Sequence, residues 1–184
     1  MKNLAYSLLM ISLFTFTACD NDDNPPVVPV DPDPVSENIN VTGMLTGVNN
    51  WTSDNIYVLN QKVVVDAGAT LNIECGTIIK GTAGTGSLAS ALVVARGGTL
   101  NANGTVDCPI IMTSESDNIE VGQTAGTNLG INDRGLWGGL IVLGYAPSSF
   151  SGDVSEVQIE GIPADDTFGL YGGNDPSDNS GSIT

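Results

Sequence analysis

The sequence contains no histidine and has few basic residues. Its 184 residues include 5 Lys and Arg against 21 Asp and Glu, which gives a net charge of -16 at pH 7. Without histidine there is no Ser-His-Asp triad, no Cys-His pair and no histidine-based metal site. A chain of this charge repels nucleic acid and anionic membrane surfaces, so neither is an expected partner.

Long hydrophobic runs are absent after the N-terminus. Residues 4–18 carry no charge and follow Lys2. This run is shorter than the roughly 20 apolar residues that a transmembrane helix needs, and it has the size of a secretory h-region. The sequence therefore predicts a signal peptide over residues 1–18.

The end of this run resembles a bacterial lipobox. In Phe16-Thr17-Ala18-Cys19, small residues precede a cysteine, although Phe16 replaces the usual leucine. The resemblance implies that Cys19 is lipidated and anchors the protein in a membrane; the alternative is an ordinary signal peptide with a chance cysteine. The acidic residues 20–24 resemble the export signal of Bacteroidota surface lipoproteins, which implies an outer-membrane, cell-surface location. The alternative is a solvated acidic spacer.

Proline and glycine separate a linker from a domain. Five of the nine prolines fall within residues 25–34, and all 23 glycines follow residue 42. Proline favours extended polyproline II structure and removes backbone donors. We therefore predict an acidic, proline-rich linker over residues 19–42 and a domain over residues 43–184.

The domain consists of short apolar runs separated by turn residues, and some of these runs repeat. Residues 64–72 match residues 93–101 without a gap, each copy leads to a cysteine and a second apolar run, and a third copy begins at Leu140. Such repeats predict an all-β parallel solenoid with external loops at residues 83–90, 114–135 and 147–180. A Greek-key sandwich is the alternative.

Several motifs resemble bacterial surface lipoproteins with a right-handed parallel β-helix of the pectin-lyase type, most of them without an assigned function. The motifs are WTSDNIYVL (51–59), GATL (68–71), GTIIKG (76–81), NDRGLWGGL (132–140) and GLYGG (169–173). The resemblance implies the fold and a surface location but no catalytic residues. It also leads us to expect further C-terminal rungs after Thr184.

Cys75 and Cys108 occupy equivalent places in consecutive repeats. Equivalent positions in a solenoid stack about 4.8 Å apart, and a disulfide needs Cα atoms about 4.4–6.8 Å apart. Because lipid consumes Cys19, an even pair remains for an oxidising compartment. We predict a disulfide; two buried free thiols are the alternative.

Candidate chemistry is sparse. Arg96, at a turn after a strand, is the best cationic candidate, but the favoured interpretation is a solvated turn residue or a partner for a nearby carboxylate. Arg134 is predicted to pair with the adjacent Asp133. The acidic pairs are Asp165 with Asp166 and Asp175 with Asp178; the second offers oxygen ligands for calcium, and an Asx-rich turn explains it equally well. No other cofactor is expected.

Three aromatic residues are candidate glycan contacts, with packing of loops onto the coil as the alternative. They are Trp137, Phe168 and Tyr171. The predicted function is that of a lipid-anchored, non-enzymatic surface protein that binds a glycan or a surface protein. The alternative is a carbohydrate-active lyase or hydrolase whose catalytic residues follow Thr184.

Overall fold

The computed structural model describes residues 36–150 and 154–184. The predicted signal peptide, Cys19 and most of the predicted linker lie outside these residues. The described part contains β-strands and short 3-10 turns at Gly86–Leu88 and Thr167–Gly169, with no α-helix. It has no helix that is long and apolar enough to cross a membrane.

The described residues form twelve strands. They are β1 (Asn38–Leu45), β2 (Val48–Trp51), β3 (Ile56–Val65), β4 (Thr70–Ile73), β5 (Ile78–Gly81), β6 (Ala91–Val94), β7 (Thr99–Ala102), β8 (Ile111–Ser114), β9 (Leu140–Val142), β10 (Val157–Gln158), β11 (Leu170–Tyr171) and β12 (Gly181–Ile183).

These strands wind into a parallel coil with three faces. The third face is a four-stranded sheet in the order β12-β7-β4-β2. The first and second faces share a six-stranded sheet, because β1 and β3 each continue around the corner between them. The first face holds the N-terminal halves of β1 and β3 with β5 and β8. The second holds their C-terminal halves with β6 and β9.

The corner in β3 lies at Asn60-Gln61-Lys62, a polar stretch without glycine between two apolar runs. Residues 56–59 pair with β5, whereas residues 62–65 pair with β6. Gln61 lies between them with a φ of 59°, a left-handed value that is uncommon outside glycine. The preceding coil makes the same corner at Gly43, where the register with β3 shifts.

The strand register confirms the predicted repeat. Leu71 and Asn72 pair with Leu100 and Asn101, and Leu92 pairs with Leu140 in the third copy. All strand pairs of the coil are parallel, whereas a Greek-key sandwich is antiparallel. The predicted parallel β-helix is therefore confirmed, and the sandwich alternative is wrong.

Aliphatic side chains fill the coil. Leu59, Leu71 and Leu92 have no exposed surface. Burial of each such side chain is worth about 1.5–3 kcal/mol. Near the first coil, the Trp51 ring stacks on Tyr57 with centroids 4.6 Å apart. Alternation along each strand places these residues inside and their neighbours outside.

The structure begins the coil earlier than the predicted domain boundary at residue 43. Strand β1 starts at Asn38, and Ile39 and Val41 pack against the core. These two residues alternate with asparagine and threonine and lack the glycine-punctuated texture of later coils. The end of the predicted linker, residues 38–42, is therefore strand.

The predicted loops follow the coil corners, and the last contains a small antiparallel pair, β10 with β11.

Candidate functional site

A loop covers the outer surface of the first face. Ile119, in the connection between β8 and β9, is 1% exposed and packs with Ile56 and Ile78. Lys80 holds the loop in place, since its Nζ donates to the carbonyl oxygens of Asp117 and Ile119, each 2.8 Å away. This cation therefore fastens a loop to the coil.

A second loop covers the outer surface of the second face. Val64 and Val93 point away from the coil interior, yet they are 2% and 0% exposed. Ile159, Ile162 and other apolar side chains of residues 143–180 pack against them. The covering loop thus turns the outward side of this face into a second hydrophobic layer.

Arg96 joins this second loop to the coil. Its guanidinium forms an ion pair with Glu156 and donates to the Gly172 carbonyl oxygen at 3.0 Å. The guanidinium also lies 4.9 Å from the centre of the Tyr145 ring, a cation-π distance. These contacts agree with the alternative interpretation of Arg96, in which it pairs with a carboxylate. The guanidinium group of the best cationic candidate is thus engaged in contacts that hold the loop.

Lys62 makes a second attachment of the same loop. Its ammonium group forms an ion pair with Asp166 and lies 5.9 Å from the centre of the Phe168 ring. Burial lowers the pKa of Lys62. Of the predicted acidic pair, Asp166 is thus engaged in an attachment, whereas Asp165 is exposed.

The predicted ion pair between Asp133 and Arg134 is wrong. The Arg134 Nε donates to the carbonyl oxygen of Ile131 at 3.2 Å, and Asp133 accepts from the backbone N–H of Gly130 at 2.7 Å. Within residues 36–150 and 154–184, the ion pairs are Lys62 with Asp166 and Arg96 with Glu156. Each residue of the predicted pair instead hydrogen-bonds the backbone of its own turn.

The three aromatic candidates are half-buried and do not form one surface. Trp137 packs against the coil interior above Gly81, where an added Cβ would lie 2.6 Å from the indole. Phe168 and Tyr171 pack with the hydrophobic layer over the second face, and Tyr171 meets Phe150 edge to face at 5.6 Å. This arrangement favours packing of loops as their role.

Asp175 and Asp178 lie in a turn at the end of the second loop. Asp175 Oδ1 accepts from the backbone N–H and hydroxyl of Ser177, at 2.9 and 2.7 Å. These bonds lower the pKa of Asp175. Asp178 accepts from the N–H of Tyr145 at 2.8 Å. In the described residues, no group of three or more acidic, cysteine or histidine residues is placed to hold a metal.

The structure joins Cys75 and Cys108 in a disulfide, with their Cα atoms 5.3 Å apart. The bond lies at the corner between the third and first faces, where consecutive coils stack. Gly76 follows Cys75 with a φ of 83°, a left-handed value that glycine adopts readily. The disulfide thus staples one coil to the next.

A cleft of about 810 Å³ lies beside the first face, between the sheet and its covering loop. Ile56, Val58 and Val121 line it together with Asn38, Asn40 and Asn118. The cleft has the size of a small-ligand site. It contains no aromatic side chain, and the Lys80 ammonium at its wall is already bonded to the loop.

The third face carries an amide ladder on its outer surface. We use this term for Asn50, Asn72 and Asn101, whose side chains follow one another across β2, β4 and β7. Asn72 Nδ2 donates to Asn50 Oδ1, and Asn101 Nδ2 donates to Asn72 Oδ1, both at 2.9 Å. Thr70 and Thr99 form a parallel column two residues earlier in each strand. No sequence prediction singled out these residues as a site, although the matched Thr-Leu-Asn triplets carried the signal.

Stacked parallel strands, loops inserted at the corners and outward ladders of polar side chains define a parallel β-helix. Residues 43–184 match the family model described as pectate-lyase-like β-helix domain, and the chain belongs to this family. Neither the curated proteins nor the solved structures include a significant match to the chain.

Proposed function

We propose that this protein is a non-enzymatic glycan-binding protein displayed on the bacterial surface through a lipid on Cys19. The observation that carries the non-enzymatic part is the use of the cations. Lys62, Lys80 and Arg96 each attach a loop to the coil, and Arg134 is bonded to its own turn. General acid–base catalysis needs a titratable group within reach of substrate, and these groups are committed to structural contacts.

Membership of the pectate-lyase-like β-helix family fits a glycan-related role. The net charge of -16 favours a neutral glycan over a polyanion, which the protein would repel. The outer surface of the third face offers neutral amides and hydroxyls, the groups that hydrogen-bond sugar hydroxyls. Adhesion to a surface protein remains the second binding role consistent with display.

A carbohydrate-active enzyme is the second candidate, and the family description favours it. Such an enzyme would release sugar products from a polysaccharide, whereas a binding protein would only retain it.

The test exposes the purified chain to a panel of neutral and acidic polysaccharides. Retention on the solid polysaccharide and release of reducing or unsaturated ends are measured in the same samples. Retention without product supports the proposal. Product formation would favour the enzyme, and retention on none of the panel would leave adhesion to a protein.

The anchor is tested separately with Cys19→Ala. Loss of the acylated thiol should move the protein from the membrane fraction to the soluble fraction or stall its processing, because a lipid chain supplies the membrane affinity. Val28→Ala, in the predicted linker, is the control, since it leaves Cys19 and the other two cysteines in place. Membrane fractionation of Cys19→Ala that equals the parent would rule out this anchor. Protease treatment of intact cells then tests surface exposure.

A further inference from the structure

The amide ladder differs from ordinary exposed polar residues because its members are bonded to one another. An asparagine side chain has two N–H donors and a carbonyl oxygen with two lone pairs. Asn72 uses one N–H toward Asn50 and one lone pair toward Asn101. One donor and one acceptor of Asn72 therefore remain for a partner outside the sheet.

The ladder repeats at fixed intervals. Neighbouring strands of a sheet are about 4.8 Å apart, and alternate residues of one strand are about 6.6 Å apart. The column of Asn50, Asn72 and Asn101 and the column of Thr70 and Thr99 therefore form a grid of neutral hydrogen-bonding groups, and the exposed Val48 continues the second column on β2. The hydrophobic layers that cover the first and second faces do not include these residues.

The ladder is also ordered before any ligand arrives. Fixing a free polar side chain on binding costs about 0.5–1.5 kcal/mol. Amides that already hold one another avoid much of that cost. A ligand with the same kind of repeat would gain several bonds at once, because binding of its first unit places the next unit beside the next amide.

We propose that the amide ladder on the third face is the binding surface for an extended neutral polysaccharide, whose repeated hydroxyls pair with the free amide N–H and carbonyl groups. The inference rests on the proposed glycan-binding function and assigns its site. The absence of charge in both columns and the net charge of -16 argue for a neutral chain. Repeated hydroxyls, each a donor and an acceptor, match the one donor and one acceptor left at Asn72.

The experiment compares the parent chain with two double variants. Asn72→Ala/Asn101→Ala removes the ladder amides. Asn40→Ala/Asn60→Ala is the matched control, because Asn60 Nδ2 donates to Asn40 Oδ1 at 3.2 Å in an amide pair outside the third face. Retention is measured on insoluble cellulose and chitin, with polygalacturonate as the acidic comparison.

We expect the parent to be retained on cellulose or chitin and the control variant to bind like the parent. The ladder variant should bind at least about tenfold more weakly, because it loses two hydrogen bonds of about 1 kcal/mol each. Asn72→Val/Asn101→Val, which introduces residues that favour strands, should show the same loss if the alanine variant folds poorly.

Equal retention of the ladder variants and the parent would overturn the site while leaving glycan binding intact. A loss confined to the control variant would place the site in the first-face cleft and would also overturn it. Retention of the parent on polygalacturonate alone would overturn the neutral ligand, and retention on none would overturn the proposed function itself.

Discussion

The second and third faces of the coil show how differently equivalent outward positions are used. On the second face, Val93 points outward and is 0% exposed because the loop of residues 143–180 packs over it. On the third face, Thr99 also points outward but is only half-buried. Val93 is therefore an apolar outward residue buried by a loop, whereas the third face leaves outward residues in contact with solvent, Val48 among them at 71% exposure.

Cationic side chains attach the covering loops to the coil. The ammonium and guanidinium groups of Lys62 and Arg96 bind the second loop, and Lys80 binds the first. Each cation stands at the edge of an apolar layer, so its contacts and the layer stabilise the same loop. The third face has no cation on its strands, and its amides bond one another instead.

The largest expected effect comes from removing the disulfide, which links two consecutive coils and does not attach a covering loop. Cys75→Ala/Cys108→Ala should reduce the free energy of unfolding by about 3–4 kcal/mol, because the bond closes a loop with a sequence separation of 33 residues. Chemical denaturation of parent and variant measures the difference.

The parent treated with reductant is the control for this variant and should lose a similar amount. Free thiols are counted in denaturant without reductant. Two reactive thiols from Cys75 and Cys108 would show that the protein does not form this bond in solution.

The comparison of the two faces is tested directly by reciprocal substitutions. Val93→Thr places a hydroxyl in the layer under the second loop and should cost about 1–2 kcal/mol, since a buried hydroxyl loses its water partners. Thr99→Val on the bare third face should change stability by less than about 0.5 kcal/mol. Equal effects of the two substitutions, measured by denaturation, would mean that the loop does not bury Val93.

Arg96→Ala should have a smaller effect on global stability, about 1 kcal/mol, because Glu156 is 49% exposed and its ion pair is screened by solvent. The clearer consequence is local: residues 143–180 should be cleaved faster by protease, with the cut sites identified by mass spectrometry. Arg134→Ala is the control, since its guanidinium bonds only within its own turn. Unchanged cleavage in Arg96→Ala would mean that the apolar layer alone holds the loop.

The parts of the fold that repeat could be predicted from the sequence. Gapless matching of residues 64–72 with 93–101 already implied the register seen between Leu71 and Leu100. It also placed Cys75 and Cys108 at stacked corners, where the structure joins them. Repeats reveal such contacts because each copy samples the same local environment.

Structural features that occur only once in the chain could not be predicted from a repeat. The corner at Gln61 has no glycine to mark it, so the sequence did not show that the two halves of β3 lie on different faces. The contacts of Lys62 and Arg96 join residues far apart in sequence, and no local pattern links them to Asp166 or Glu156. The candidate site was missed for a related reason: Asn72 and Asn101 were recognised only as part of the repeat, whereas their bonding across strands creates the ladder.

The smallest expected effect concerns the turn at Asp175, where the second loop returns toward the third face. Hydrogen bonds from the Ser177 hydroxyl and N–H favour the charged carboxylate and lower the pKa of Asp175. Because its pKa is lower in the folded chain, this group contributes stability above its unfolded pKa and loses it as pH falls through the folded pKa. Ser177→Ala removes the hydroxyl donor and keeps the backbone donor, so the pKa should rise part of the way to its ordinary value. An NMR titration of the carboxyl carbon measures the change, with Ser155→Ala as a control in the same loop. An unchanged pKa in Ser177→Ala would show that the hydroxyl does not bond Asp175 in solution.

The same titration with calcium separates the two interpretations of Asp175 and Asp178, since a bound cation would lower the pKa of Asp175 further, whereas a simple Asx turn would leave it unchanged.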